Sequence, residues 1–230
     1  MRGPVRPYDG RVPQETMDQQ VRADAASGAF DDWGLSTVID ENLDAPVISR
    51  DQFERLHRVA GLDAAWPIGN AGLLHVYGYL LSTVDTPYGP KRARWLDGTL
   101  ARTLGLPADA FLPGGAGLPS DAGTLLSRVT AAVLPRLVEP PEDALLVLDQ
   151  PALNGRATVR TVVVGDPHAA ALLYGIAEGA RMRAITAFPL AAAPESFLRT
   201  LAEQQSRLRY NAATSTLAPR SPLASSLRTQ

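Results

Sequence analysis

The sequence predicts an α+β fold in which helices pack on a largely antiparallel sheet, and three observations support it. Of the 230 residues, 45% are hydrophobic and 20% are charged, which allows a sizeable core. Strand-like segments follow one another after residue 140, separated by Asn-Gly and Gly-Asp turn signals. Segments with helix caps and helical periodicity flank them. We expect a single domain over residues 14–212, between an extended N-terminal arm, 1–13, and a flexible or docked C-terminal tail, 213–230.

The helices are predicted from capping residues and apolar spacing. Ser49 and Gln52 form a capping-box pattern at the start of the clearest helix, and Gly61 ends it. Asp121 is the expected cap of a long helix with an apolar stripe. The predicted helices cover residues 15–26, 50–60, 97–104, 121–134 and 194–208.

The strands are predicted from short apolar runs between turn residues. The predicted strands in the second half of the chain cover residues 144–148, 157–164, 170–176 and 181–188. In the first half, two tyrosines, β-branched residues and the internal Gly78 favour a strand over residues 73–84, with 91–96 as its hairpin partner. A helix over residues 70–83 is the alternative, and it would place His75 and Tyr79 one turn apart.

The segment that begins at residue 73 carries the most informative side chains. His75, Tyr77, Tyr79 and Asp85 share one face if the chain there is extended, because side chains alternate along a strand. A core strand has no need of an imidazole, two phenols and a carboxylate, and burying them costs free energy unless each finds a partner. We therefore expect a functional site on this face.

Composition excludes several classes of site. The chain has no cysteine, so disulfides, thiolate catalysis and Cys-ligated metals are ruled out. The three histidines lie far apart and show no metal-binding spacing, and no P-loop or G-x-S-x-G elbow is present. A net charge of −2 argues against nucleic-acid binding by bulk positive charge. With no apolar run of membrane-spanning length and no signal peptide, we expect a soluble cytoplasmic protein without metal or other cofactor.

The remaining chemistry is acid–base catalysis. Asp85 is the candidate general base, because burial at the end of an apolar strand would raise its pKa into the working range. His75 would hold, orient or donate to a substrate group. Trp66, Tyr77 and Tyr79 could stack on an aromatic substrate.

Four cationic side chains are candidates for binding a carboxylate or phosphate. Arginine binds a carboxylate better than lysine does, because its planar guanidinium can donate two parallel hydrogen bonds. They are Arg58, Lys91, Arg92 and Arg94. Purely structural interpretations stay open for the same residues: Asp85 as the start of an Asx turn, His75 as a satisfied core histidine, and the cations at 91–94 as a solvated edge.

At this segment the sequence resembles the bacterial Pictet–Spenglerases of alkaloid biosynthesis, the family of McbB-like β-carboline-forming enzymes and the streptonigrin-pathway cyclase. The matching feature is an apolar segment with a histidine, His75, followed ten residues later by an acid, Asp85, directly before Thr-Pro-Tyr-Gly. In that family the acid is expected to be Glu and to act as general base, assisted by the His and an upstream Arg. The aspartate here is one methylene shorter, and Arg58 is the upstream arginine in the best position to match.

The resemblance implies a cofactor-independent cyclase that condenses tryptophan or a tryptophan derivative with an aldehyde to a tetrahydro-β-carboline. A sugar phosphate is one candidate for the aldehyde. Asp85 would be the base, His75 would assist and Arg58 would hold the carboxylate. Two other hypotheses stay open: a non-catalytic aromatic-ligand-binding or immunity protein, and a metal-independent nuclease, against which the acidic balance argues. The expected partners are small molecules and a second copy of the chain in a homodimer.

Overall fold

The computed structural model describes residues 13–87, 89–113 and 123–203. Its α-helices are α1 Gln14–Ser27, α2 Arg50–Ala60, α3 Tyr79–Leu81, α4 Ala93–Leu96, α5 Thr99–Thr103, α6 Leu125–Val138 and α7 Glu195–Glu203. Its strands are β1 Leu35–Thr37, β2 Ile39–Asp40, β3 Ala45–Pro46, β4 Ile68–Asn70, β5 Leu146–Ala152, β6 Ala157–Asp166, β7 Ala169–Glu178 and β8 Arg181–Leu190. Most of the predicted arm, the predicted tail and the expected cap Asp121 lie outside the described residues.

A four-stranded antiparallel sheet in the order β5-β6-β7-β8 forms the second half of the fold. It confirms the predicted α+β class and the four predicted strands, each of which overlaps an observed one. Two small antiparallel pairs, β1 with β4 and β2 with β3, lie in the first half. Gly165 has a φ of 102° in the turn region between β6 and β7, a conformation that favours glycine over residues with a Cβ.

Both faces of the main sheet are apolar, so the fold has a helical layer on each side. On one face, Val162 and Leu173 belong to the main core together with Val133 of α6. On the other face, Val163 and Leu172 lie in a second core, against which the apolar side chains of α7 pack. Such two-sided burial explains why β6 and β7 are nearly continuous apolar runs instead of alternating ones.

Helix α2 begins and ends where its capping residues predict. The Ser49 side chain accepts from the backbone N–H of Gln52 at 3.2 Å, and the Gln52 side chain accepts from the backbone N–H of Ser49 at 3.0 Å. Gly61 follows the last turn with a φ of 65°. Phe53 and Leu56 face the protein interior, as their spacing predicts.

Residues 71–81 form one continuous helix at the centre of the protein, which we call the central helix. Leu73–Gly78 are π-helical and α3 is the last turn. The prediction of a strand over 73–84 is therefore wrong, and the alternative of a helix starting at Asn70 is right. The Asn70 side chain accepts from the backbone N–H of Leu73 at 3.1 Å, as a helix cap does.

Burial on all sides explains the misleading sequence pattern of the central helix. Every residue from 71 to 80 is buried, so no polar stripe reveals a helical period. Its glycines serve close packing: a Cβ on Gly72 would lie 2.7 Å from the ring of Trp33. The expected hairpin partner at 91–96 is also absent, since these residues form a turn and α4.

The start of α6 also differs from expectation. Thr124, not Asp121, caps α6, and its hydroxyl accepts from the backbone N–H of Ser127 at 3.0 Å. Among the described residues, no helix is both long enough and apolar enough to span a membrane.

The capping box of α2 gives a test of the local interactions in this fold. Replacing Ser49 by Ala removes one acceptor from the first turn and should lower the free energy of unfolding by about 1 kcal/mol. Ser49→Asp keeps an acceptor and is the matched control, with little expected change. Urea unfolding followed by circular dichroism measures both, and an equal loss in the two variants would contradict the assigned role of the cap.

Candidate functional site

Four of the residues predicted to form a site come together beside the central helix. Together with Asp40 they form what we call the polar cluster: Asp40, His75, Tyr79, Lys91 and Arg94. His75 and Tyr79 lie one turn apart on the central helix, and their rings meet edge to face with centroids 4.6 Å apart. Asp40 comes from the end of β2.

The two cations of the cluster come from the helical turn that leads into α4. The backbone N–H of Arg94 donates to the carbonyl of Lys91 at 3.3 Å, so the two side chains lie on one side of the turn. The indole of Trp95 donates to the backbone carbonyl of His75 at 2.9 Å. This buried bond fixes α4 against the central helix and so sets the position of both cations.

Arg94 is held by aromatic rings instead of by a carboxylate. Its guanidinium carbon lies 5.0 Å from the ring centroid of Tyr79 and 5.4 Å from that of Phe188, both within cation–π range. One of its N–H groups donates to the hydroxyl of Thr186 at 3.1 Å. In the part of the chain that the structure describes, no carboxylate lies within ion-pair distance of Arg94. Burial lowers the pKa of Arg94 from its ordinary value.

Lys91, in contrast, is paired. Its ammonium forms an ion pair with Asp40, and both side chains are largely buried. Burial raises the pKa of Asp40, but hydrogen bonds from Lys91 and from the backbone N–H of Asn42 outweigh burial and lower it below its usual value. The Asp40 carboxylate therefore stays ionised near neutral pH.

His75 is fully enclosed and neutral. Its Nε2 lies 2.6 Å from the hydroxyl oxygen of Ser36, while its Nδ1 is buried without a hydrogen-bond partner among the described residues. Burial lowers the pKa of His75 well below its ordinary value, and the nearby charges of Arg94 and Lys91 lower it further. Burial also raises the pKa of Tyr79 to about 12, so the phenol stays neutral as well.

The charges of the cluster leave one positive charge uncompensated. Lys91 and Asp40 cancel, His75 and Tyr79 are neutral, and the guanidinium of Arg94 remains. Arg94 is partly accessible to solvent, so a ligand can reach it. A site of this composition can bind a single anionic group with charge-assisted hydrogen bonds.

The other predicted site residues lie elsewhere. Arg58 is exposed on the outer side of α2, and Arg92 is exposed in the turn before α4. Trp66 is half-buried and packs edge to face on Phe53, with ring centroids 5.4 Å apart. Tyr77 is buried, but its hydroxyl donates to Asp24 of α1, away from the cluster.

Asp85 is exposed, which corrects the expectation that it would be buried at the end of an apolar strand. The reason is the change of secondary structure. Because the central helix ends at Leu81, Asp85 lies in the loop that runs from the helix to Lys91. Both ends of this loop adjoin the cluster, while the carboxylate itself faces solvent.

Several members of the site were missed from sequence. Asp40 was not among the candidate residues, yet it is buried and pairs with Lys91. Ser36, Thr186 and Phe188 carry no local motif, and they reach the cluster only through the pairing of β1 and β8 with other parts of the fold. The one available signal was the capping residue Asn70, which would have placed His75 and Tyr79 on a helix.

A second buried network holds the first helices together. Asp24 of α1 accepts hydrogen bonds from Tyr77 and from Thr124, the cap of α6. Burial raises the pKa of Asp24 by more than these two hydrogen bonds lower it, so the pKa lies above its ordinary value. Gln20 accepts from the backbone N–H of Leu125 at 2.9 Å, so side chains of α1 satisfy the start of α6. The partners of this network are complete, and a structural role accounts for it.

No metal centre is formed by the described residues. In the ranges 13–87, 89–113 and 123–203, no three His, Asp or Glu side chains lie close enough together to hold an ion. His57, which is far from the cluster in sequence, donates from Nδ1 to the carbonyl of Phe53 at 2.8 Å and accepts from the backbone N–H of Asn70 at 3.3 Å. It is a satisfied core histidine.

Comparison with models of known protein families, with curated proteins and with solved structures gives no match to this chain. The assignment of function therefore depends on the site and on the resemblance carried by His75 and Asp85.

The enclosure of neutral His75 predicts a pH dependence of stability. The folded state keeps His75 neutral, while the unfolded chain takes up a proton near pH 6.5, so stability should fall as the pH drops below that value. His75→Gln keeps a hydrogen-bonding group for Ser36 and removes the titration. It should reduce the loss between pH 7.5 and 5.5 by up to about 1.4 kcal/mol per pH unit.

Chemical denaturation at a series of pH values measures this effect. His57, whose pKa burial also lowers, gives a loss of the same sign in both proteins, so the difference between them isolates His75. Identical pH profiles for the two proteins would contradict the enclosed, neutral state of His75.

Proposed function

We propose that the polar cluster binds the carboxylate of an aromatic amino acid and that the protein is a cofactor-independent Pictet–Spengler cyclase. In this reaction an arylethylamine condenses with an aldehyde to an iminium ion, with loss of water. The aryl carbon then attacks the iminium carbon, and a base removes the ring proton to restore aromaticity. The chain must supply an anion site, an aromatic surface and one base.

The proposed binding of a ligand carboxylate is supported by one observation, the uncompensated positive charge of Arg94. A half-buried guanidinium without a carboxylate partner has lost part of its hydration, and a ligand carboxylate compensates for that loss. Arginine presents a planar fork that matches a carboxylate, and the rings of Tyr79 and Phe188 hold it in place. Arg94 thus takes the role first expected of Arg58.

The proposed type of reaction is supported by the resemblance of the segment with His75 and Asp85 to the Pictet–Spenglerases. Asp85 is the proposed base, positioned on the loop that adjoins the cluster at both ends. The proton lost from a cationic, dearomatised ring is strongly acidic, so a solvent-exposed carboxylate can accept it. His75 assists by holding the ring of Tyr79, against which its imidazole packs with centroids 4.6 Å apart.

The exposure of Asp85 favours a second candidate function, a non-catalytic binding protein for the same class of ligand. The buried carboxylate of the cluster, Asp40, is tied to Lys91 and is not free to accept a proton. A protein with this anion site and no working base would bind an aromatic acid without turnover.

Turnover and its dependence on Asp85 separate the two candidates. Purified protein incubated with L-tryptophan and a panel of aldehydes, including short sugar phosphates, should give a product at the summed mass less one water. Asp85→Asn should lower the rate at least about 100-fold, as expected for loss of a general base. Asp63→Asn, another exposed aspartate, is the matched control and should keep full activity. Binding of tryptophan with no product above a boiled control would favour the binding protein.

The carboxylate site gives a separate prediction for binding. Arg94→Gln should weaken the affinity for L-tryptophan by about 10- to 100-fold, the effect of losing a charge-assisted hydrogen bond. Affinity for tryptamine, which lacks the carboxylate, should not fall. Isothermal titration calorimetry measures both ligands, with Arg94→Lys as a control that keeps the charge and loses the fork. Equal losses for the two ligands would contradict carboxylate recognition by Arg94.

A further inference from the structure

Within the described part of the chain, the guanidinium of Arg94 donates one hydrogen bond, from Nη1 to the hydroxyl oxygen of the buried Thr186 at 3.1 Å. A guanidinium cannot accept, so the direction of this bond is fixed. Nε and Nη2 make no hydrogen bond to the described residues, and neither is among the buried polar atoms of those residues that lack a partner, so both reach solvent. The guanidinium is therefore held at one nitrogen and open at the other two.

The nitrogen that is held decides which edge of the guanidinium a ligand meets. A carboxylate binds arginine most strongly through two parallel hydrogen bonds, donated by two nitrogens side by side. Two pairs of nitrogens can donate in this way, Nε with Nη2 and Nη1 with Nη2, and only the first pair leaves Nη1 out. A carboxylate can thus bind along the Nε–Nη2 edge of Arg94 without breaking the bond to Thr186.

A β-bulge in β8 places Thr186 beside Arg94. On β8, Ala184 and Thr186 pair with consecutive residues of β7, so Ile185 between them is an extra residue. Because side chains alternate along a strand, one extra residue reverses the faces of the residues beyond it. The bulge thus turns Thr186 and Phe188 to the face of β8 that Arg94 contacts. Bulges often occur next to functional sites, where they redirect side chains in this way.

We propose that Thr186 is a positioning residue that holds Nη1 of Arg94 and so presents the Nε–Nη2 edge to the carboxylate of the ligand. The rings of Tyr79 and Phe188 attract the guanidinium, but a cation–π contact depends mainly on distance, whereas a hydrogen bond is directional. The hydroxyl of Thr186 thus sets how the guanidinium is turned. The inference rests on the proposed function for the class of ligand, an aromatic carboxylate, while the orientation of the guanidinium is a property of the free protein.

NMR of the ¹⁵N-arginine-labelled full chain tests the positioning without a ligand. Rotation about the Nε–Cζ bond exchanges Nη1 with Nη2, and the bond to Thr186 should slow this rotation in Arg94. Thr186→Val should speed the rotation about fivefold, the effect of losing one hydrogen bond, and Thr186→Ser should keep it slow. The signals of Arg94 are identified as those that Arg94→Lys removes. Equal rotation rates in the natural protein and in Thr186→Val would overturn the proposal.

Calorimetric binding of indole-3-propionate and of tryptamine, which lacks the carboxylate, tests the consequence for the ligand. Thr186→Val should weaken the affinity for indole-3-propionate about fivefold and leave that for tryptamine unchanged. Thr161→Val is the matched control and should change neither, because this buried threonine lies in the same row of the sheet but two strands away, on β6.

Equal losses for the two ligands, or an unchanged affinity for indole-3-propionate, would overturn the proposal. Absence of indole-3-propionate binding to the natural protein would overturn the proposed function and, with it, the role of the Nε–Nη2 edge in binding. The rotation rates of Arg94 would still decide whether Thr186 positions the guanidinium, so the two failures can be told apart.

Discussion

Burial of the central helix is the constraint on which the rest of the structure depends. A helix that carries His75 and Tyr77 into the core requires polar partners for both side chains, because unpaired polar groups in the interior are costly. The partner of Tyr77 comes from α1, where Asp24 also binds the start of α6, so this contact joins three helices. The partner of His75 is Ser36 of β1. The contacts that complete the core thus also fix the geometry of the polar cluster.

The sequence predicted those parts of the fold that local interactions decide. Helix α2 is marked by Ser49, Gln52 and Gly61, and the four strands of the main sheet are marked by turn residues and apolar runs. The central helix escaped prediction because tertiary burial outweighed local propensity: tyrosines and β-branched residues suit a strand, and full burial removes the periodicity of a helix. Its glycines indicated close packing with neighbours such as Trp33, not an extended chain.

The site was predicted in part, for a reason that did not hold. His75, Tyr79, Lys91 and Arg94 were chosen as one group, and they do lie together, but through a helix and a following turn instead of a hairpin. Residues chosen by alternation along a strand, such as Tyr77, point elsewhere on a helix. Asp40 and Ser36 could not be found from sequence, since only the folded chain brings them to the central helix.

In the proposed function, the guanidinium of Arg94 binds the carboxylate of the ligand. A crystal structure of the protein with bound indole-3-propionate tests this claim most directly. The proposal predicts the ligand carboxylate within hydrogen-bond distance of the Arg94 guanidinium, with the indole ring near Tyr79 or Phe188. A carboxylate bound elsewhere on the protein, with Arg94 left unoccupied, would contradict it.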